Sequence, residues 1–412
     1  MGYINPIIPH HGYYGYTASN VITIPNLYQS LEDCTKGKMW KDSVVGFDQY
    51  SEFQIYDINK RVNGDGSFYF NDFYHTIINE RGKPRLVCSL TIRDRVIQKC
   101  INRNFLIPAF FPTIIYDNVA SIKHRGLDMA LNRLKYHFMR AYHKWGRNFY
   151  IAKLDIKSYF DSIPHDYCKW LISTKTIDPQ LRHIFDMLFR KYKYDKFIHN
   201  GDQVDYGIGL GGEIPQTFGI ITLNEFDHII KEKYLIKEYI RYMDDCILIH
   251  NDKTYLEYII AELSQYLSIL GLQFNMHKTH VYNAEEGVLF LKFHYKITET
   301  GKIYLLGYKP NFRRERRKLR KLRALLIADN INILDIKSSY YSWRGHMLKG
   351  NTLSYINYFD QLYEDLNIIG RVKDIFYRCN NIDDYNDLIY ANYMESKLYD
   401  INNTGFIFEI EV

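Results

Sequence analysis

Residues 238–250, EYIRYMDDCILIH, set the adjacent carboxylates of Asp244 and Asp245 between two apolar, β-forming runs. The flanking runs read as paired strands with the acids at their turn. Neighbouring carboxylates repel, and an acid pair persists there at little cost only where a divalent cation neutralises it. A further acid, Asp155, stands near the end of another apolar run upstream, FYIAKLDI at 149–156. If that strand lies beside the hairpin, three acids converge on one edge of a sheet.

The surrounding pattern is α+β. Residues 27–40 are amphipathic, and 67–90 read as a hairpin turning at Arg81-Gly82-Lys83. Residues 92–111 carry helical spacing, helices follow Asp155 up to about 194, and 254–270 place apolar residues at i, i+3, i+4 and i+7 of a helix. GLQFNMHKTHVY (271–282) and VLFLKFHYKI (288–297) read as strands. Residues 1–27, rich in Tyr, Pro, Gly and His, read as an irregular extension.

Charge and cysteine content narrow the setting. The net charge is only +6, so the placement of basic residues matters more than their number. They cluster in RRERRKLRKLR (313–323), where every position except Glu315, Leu319 and Leu322 is basic: Arg313, Arg314, Arg316, Arg317, Lys318, Arg320, Lys321 and Arg323. Like charges at i,i+4 repel unless an anion lies against them, so this strip reads as a phosphate-tracking helix. The six cysteines form no CxxC pair, which argues against a zinc module and a disulfide framework and fits a reducing cytoplasm. No signal-peptide pattern and no run of 18 apolar residues occurs, so no membrane association is expected.

Three converging acids suit phosphoryl transfer through two Mg²⁺ ions, with Mn²⁺ as an alternative; one ion activates a primer 3′-hydroxyl and the other grips a triphosphate. Asp155, Asp244 and Asp245 are the candidate ligands. A nucleophile elbow, HExxH and GxxxxGK[ST] are all missing from the sequence.

With these motifs in order, the chain resembles the reverse transcriptase family over roughly residues 28–365. The resemblance implies a right-handed polymerase: fingers at 28–140, palm at 141–300, a helical basic thumb at 301–369 and a tail at 370–412. KLDIKSYFDSIPH carries the first catalytic motif, with Asp155 as metal ligand and Phe160 as the aromatic gate that excludes a ribose 2′-hydroxyl. Tyr242 to Asp245 is similar to the second catalytic motif. Gly212 to Gln216 resembles the loop that positions template and nucleotide, and Lys278 the general acid toward pyrophosphate. Val288 to Leu291 resembles the primer grip, whose glycine is replaced by Lys292. Lys83, Arg85, Arg93 and Arg95 match residues facing triphosphate and template, and Lys123 and Arg125 lie in the next basic loop.

The implied partners are dNTPs, a DNA primer or product and a structured non-coding RNA template, with an accessory protein or oligomer open. In KGKMWKDSVVGFDQY, IRDRVIQKC and SWRGHMLKGN the resemblance is strongest to prokaryotic enzymes of the diversity-generating-retroelement and phage-defence groups, which implies a bacterial cytoplasm, and anti-phage defence is the expected setting. No integrase, RNase H or zinc endonuclease segment follows, so a self-mobilising element is not expected. Thr217-Phe218-Gly219 departs from the family's small-residue run, which keeps open an enzyme that extends DNA without a template. A diversity-generating reverse transcriptase and a non-catalytic RNA-binding scaffold stay open as well. The three intact acids argue against the scaffold.

Overall fold

The computed structural model describes residues 15–80, 83–192, 198–199, 202–203 and 205–378. The chain divides into two compact units, Met1–Asn283 and Ala284–Val412.

The first unit opens with helices α1 (Ala18–Val21), α2 (Ile24–Thr35), α3 (Asp42–Gln49) and α4 (Ser51–Asn63). The irregular reading of residues 1–27 is therefore corrected from Ala18 onward. The Thr17 and Thr23 side chains accept from the Asn20 and Asn26 amides and cap helices that bury Val21 and Leu27. A hairpin follows, β1 (Tyr74–Glu80) and β2 (Lys83–Ser89), leading into α5 (Ile92–Ile101), α6 (Ile107–Phe110) and α7 (Leu127–Trp145).

Strand β3 (Tyr150–Asp155) precedes α8 (Tyr159–Ser162), α9 (His165–Ser173) and α10 (Pro179–Lys191). Then come the short strands β4 (Ile198–His199) and β5 (Asp202–Gln203), α11 (Glu213–Ile221) and α12 (Asn224–His228). The hairpin β6 (Glu238–Tyr242) and β7 (Asp245–His250), α13 (Lys253–Ile269) and β8 (His280–Asn283) complete the unit. Four of these strands form an antiparallel sheet in the order β6-β7-β3-β8. The middles of β6, β7 and β3 are almost wholly buried, which is why their sequences are continuous apolar runs rather than alternations. Of the strand expected at 271–282 only β8 forms: Phe274 makes a single bridge to Ile156, and residues 275–279 turn.

The second unit contains β9 (Val288–Phe290), β10 (Phe293–Ile297) and β11 (Ile303–Gly307), an antiparallel sheet in the order β11-β10-β9. Helices α14 (Lys309–Ile327), α15 (Ile333–Met347) and α16 (Leu353–Arg378) follow. Phe312 of α14 stacks at 4.4 Å on Tyr355, and Tyr340 at 4.5 Å on Tyr363, so the helices share an aromatic core. The α+β class expected from the sequence holds in both units. Among the described residues no helix is long and apolar enough to cross a membrane.

The single strand expected at 288–297 is broken into β9 and β10 at Leu291 and Lys292, whose φ angles of 47° and 74° make a tight reversal pairing Phe290 with Phe293. Lys292 holds a backbone conformation that favours glycine. Lys292→Gly is expected to preserve or raise the thermal midpoint, by up to about 1 kcal/mol of stability, whereas Lys292→Val should lower it. A lower midpoint for the glycine variant in thermal unfolding would contradict this account.

Candidate active site

Strand register brings the acids together. Asp155 at the end of β3 pairs with Asp245 at the start of β7, and Asp245 in turn faces Tyr242 across the hairpin. The reversal needs Met243 at φ 56°, and its carbonyl accepts from Arg241 Nη1 at 3.1 Å. Arg241 and Asp227 are both fully buried and bonded by two contacts of 2.8 Å; Tyr239 donates to the same carboxylate at 2.6 Å. Arg241 also donates to the Ile220 carbonyl at 2.8 Å, fixing the C-terminal end of α11 behind the acid turn.

Each acid has a cation beside it. Lys278 Nζ contacts both oxygens of Asp155 at 3.0 and 2.8 Å, and Asn275 donates to Oδ1 at 3.2 Å. Residues 273–275 are strapped to the end of β3 by the Lys157 amide on Gln273 O and the Asn275 amide on Asp155 O, and that strap delivers Lys278. Lys153, one pleat before Asp155, lies 3.5 Å from Asp245. Burial pushes the Asp245 carboxyl up to about 7 against the pull of Lys153, with Asp244 and Asp155 raising it further. Burial also raises Asp244, helped by Asp155 and opposed by Lys278 and Arg85.

The donor set fits a divalent cation. Asp245 Oδ1 is buried without a hydrogen-bond partner, and both acids of the turn are penalised as lone anions. Among the described residues no three His, Cys, Asp or Glu side chains already stand close enough to bind a metal ion together. Asp155 is instead turned onto Lys278 and Asn275, so metal entry requires that this ion pair open.

Phe160 in α8 and Met243 of the turn both lie beside Gly219 of α11. A Cβ on Gly219 would meet the Phe160 ring at 3.0 Å and Met243 Sδ at 3.6 Å, so glycine at 219 leaves the space that the ring fills. Tyr159 donates to the Gly219 carbonyl at 2.9 Å, fixing α8 to α11. Gln216 is exposed on α11, Tyr242 is half-buried, and Gly212 is the N-cap of α11.

The remaining expected residues fall in different places. Arg85 on β2 is exposed and electrostatically coupled to Asp244; the backbone of Lys83 is in β2, but its side chain lies outside the described residues. Gly211, at φ 128°, lets β2 approach, since a Cβ there would fall 2.3 Å from the Cys88 carbonyl oxygen. Arg93 is buried, donating to Tyr69 O at 2.9 Å with its guanidinium over the Tyr69 ring. With Arg95, Lys38 and Lys41 it lines a cavity of about 560 Å³ that has no acidic residue in its wall. Lys123 is exposed, whereas Arg125 donates to the Ile115 and Asn118 carbonyls at 2.8 and 2.6 Å.

Along α14, Arg313, Arg314, Arg316, Arg317, Arg320 and Lys321 are exposed, and Lys318 and Arg323 are half-buried. Lys318 reaches Glu315 at 3.4 Å and Ser339 at 2.5 Å, and Arg323 is coupled to Asp365. Sequence reasoning missed Lys153, Asn275, and the Arg241–Asp227 pair. The signal that could have found two of them was a single charge inside an apolar strand, Lys153 in FYIAKLDI and Arg241 in EYIRYM.

The family model described as reverse transcriptase (RNA-dependent DNA polymerase) matches residues 75–309, more than half of the chain. The chain belongs to the reverse transcriptase family. Among curated proteins, this reverse transcriptase is 24% identical over 250 residues to Protein YkfC of Escherichia coli (strain K12), covering 52% of this chain and 64% of YkfC. It thus spans less than two thirds of that relative's length. Among solved structures, it is similar to apo telomerase from Candida tropicalis, at 14% identity and a TM-score of 0.41, covering 63% of this chain and 53% of that one. It is also similar to telomerase from Candida albicans in complex with a TWJ fragment of telomeric RNA, at 12% identity and a TM-score of 0.41, covering 84% and 62%.

The raised Asp245 carboxyl gives a signed pH dependence. Its ordinary value is 3.8 and its folded value about 7, so the folded chain holds the proton more tightly. Without divalent metal, this group's contribution to stability therefore falls as pH rises from about 4 to 7. Asp245→Asn should remove that slope and stabilise the metal-free chain above pH 7 by on the order of 1 kcal/mol, a figure set low because the side chain remains 23% exposed. Thermal melts across that range in chelator check it; parallel pH profiles for parent and variant would contradict it.

Proposed function

We propose that this reverse transcriptase is an active RNA-directed DNA polymerase that adds deoxynucleotides to a DNA primer. The observation that carries the reading is the facing register of Asp155 and Asp245 with Asp244 at the turn, beside Lys278, Arg85 and Phe160. Asp155, Asp244 and Asp245 would hold two Mg²⁺ ions, or Mn²⁺ in their place, which supply Lewis-acid activation of the attacking hydroxyl and charge neutralisation at the phosphates. The chain's own residues do the remainder. Arg85, electrostatically coupled to Asp244, supplies a positive charge suited to a triphosphate, and Lys278, at 2.8 Å from Asp155, would be the proton donor to the departing pyrophosphate. The Phe160 ring, seated against Gly219, would narrow the space beside the nucleotide sugar.

Asp244→Asn with Asp245→Asn should abolish primer extension on an RNA template while leaving the chain folded. Phe160→Ala should admit ribonucleotides in competition with deoxynucleotides. Residual extension within about tenfold of the parent, or an unchanged sugar preference, would refute the respective assignment.

We further propose that the template is a dedicated structured RNA, gripped by charge and shape along the exposed arginines of α14, since an A-form duplex offers mainly phosphates and 2′-hydroxyls. The altered Thr217-Phe218-Gly219 segment supports a specialised role, which we place in anti-phage defence. Replacing Arg313, Arg316, Arg317 and Arg320 with Gln should weaken RNA binding and lower the log–log salt slope by roughly 0.7 to 0.9 per lost phosphate contact. Heterogeneous cellular RNA on the purified wild-type protein, an unaltered slope in the variant, or undiminished phage plaques in cells expressing the enzyme would each remove one part of this proposal.

A further inference from the structure

Outside the acid site, α7 carries an ordered surface. Its inner face buries Ala130, Leu131, Leu134, Phe138 and Ala141. Along the outer side run Arg133, Tyr136, Arg140 and Lys144 at helical spacing, met at one end by Tyr116 and Arg125 from the preceding loop. The side chains alternate. Arg125 lies over the Tyr116 ring at 5.7 Å, Arg133 over Tyr116 at 4.9 Å and Tyr136 at 4.7 Å, and Arg140 over Tyr136 at 5.7 Å. Four successive cation–ring contacts thus join three guanidiniums and two tyrosines into one row. Both tyrosines remain exposed, Tyr116 at 62% and Tyr136 at 39%.

Two buried carboxylates hold the cations in place. Asp117 takes Arg133 and Lys231, and Glu238 takes Arg140 at 3.2 Å and Lys144 at 2.8 Å. With Arg125, five cations surround two acids, so the row keeps a positive excess. Their anchoring also means that little side-chain freedom remains to be lost on binding.

We propose that this row is a docking surface for an unpaired stretch of RNA, with phosphates against the guanidiniums and bases stacked on the exposed tyrosines. The inference rests on the RNA-copying reading above and adds to it a surface made of residues other than those of the acid site and of the α14 strip. Flat rings alternating with fixed cations fit a strand that presents one base and one phosphate per step, and base–aromatic stacking is tolerant of sequence. An acidic protein segment would meet the charge but leave the rings without flat partners.

The test uses the full chain with α14 carrying the four Gln substitutions, so that the thumb strip does not dominate, and a labelled oligouridine of about a dozen nucleotides. Tyr116→Ala with Tyr136→Ala should weaken binding by about tenfold or more. Arg140→Gln should lower the salt slope by roughly 0.7, the value for one single-strand phosphate contact. Thermal melts confirm that each variant folds, and ultraviolet crosslinking of the oligouridine to the otherwise unaltered chain, mapped to peptides containing Tyr116 or Tyr136, gives a readout free of folding effects. Unchanged affinity in a folded double-tyrosine variant, or crosslinks only elsewhere, overturns the proposal. Equal competition by polyglutamate of matched charge overturns the assignment to RNA. Extension of a short pre-annealed primer on RNA by the parent chain is scored separately: its absence refutes the polymerase reading, and its presence beside unchanged oligouridine binding refutes the docking surface alone.

Discussion

The buried pair of Arg241 and Asp227 is the interaction on which the arrangement of the three acids depends. Removing a guanidinium and a carboxylate from water is costly, and their attraction offsets that cost only with close geometry and every remaining donor satisfied. Here the contacts are bidentate at 2.8 Å, and the other guanidinium donors go to carbonyls of Ile220, Gly219 and Met243. One side chain thereby ties the end of α11, the last turn of α12 and the acid turn. Loss of either partner would leave the other as an uncompensated buried charge, at a cost of roughly 3–5 kcal/mol.

Around that pivot, lysines balance the acids. Lys278 and Lys153 occupy Asp155 and Asp245 at 2.8 and 3.5 Å, which limits repulsion among three carboxylates on adjoining strands. The balance is incomplete. Asp245 keeps a buried oxygen without a partner and a carboxyl pushed up to about 7. A structure in which one oxygen remains unsatisfied holds its site ready for a cation, and the side of the site facing Lys278 can open because that side chain is 54% exposed.

Much of this was legible in the chain. The apolar runs around Asp244-Asp245 and before Asp155 became neighbouring strands because burial on both faces demands continuous β-branched and aromatic residues. The amphipathic run at 254–270 became α13. Less legible was the segment after Gly271, where local pattern suggested a strand. Its backbone hydrogen bonds go to Lys157 and Asp155 instead, and a turn over 275–279 places Lys278. Lys292 hid a chain reversal because a lysine gives no turn signal, although its backbone sits where glycine is favoured. Arg93, grouped with the triphosphate-facing residues by its motif, is buried, with Nη1 on Tyr69 O and Asp94, since a long side chain at the start of α5 packs inward onto aromatic rings.

By itself the sequence determined the strands around the acids and the long amphipathic helix after them, that acids stand at strand ends, and where arginines are concentrated, because periodicity and residue type act over a few neighbouring positions. The tertiary structure alone decided that Asp155 faces Asp245, that Lys153, Lys278 and Asn275 serve as their partners, and that Gly219 leaves room for Phe160. It also decided that the arginines and tyrosines of α7 and the loop before it fall into one row. Those contacts join residues up to 123 positions apart, and strand order and side-chain packing, which only the folded chain possesses, select them from all the pairings that charge alone would permit.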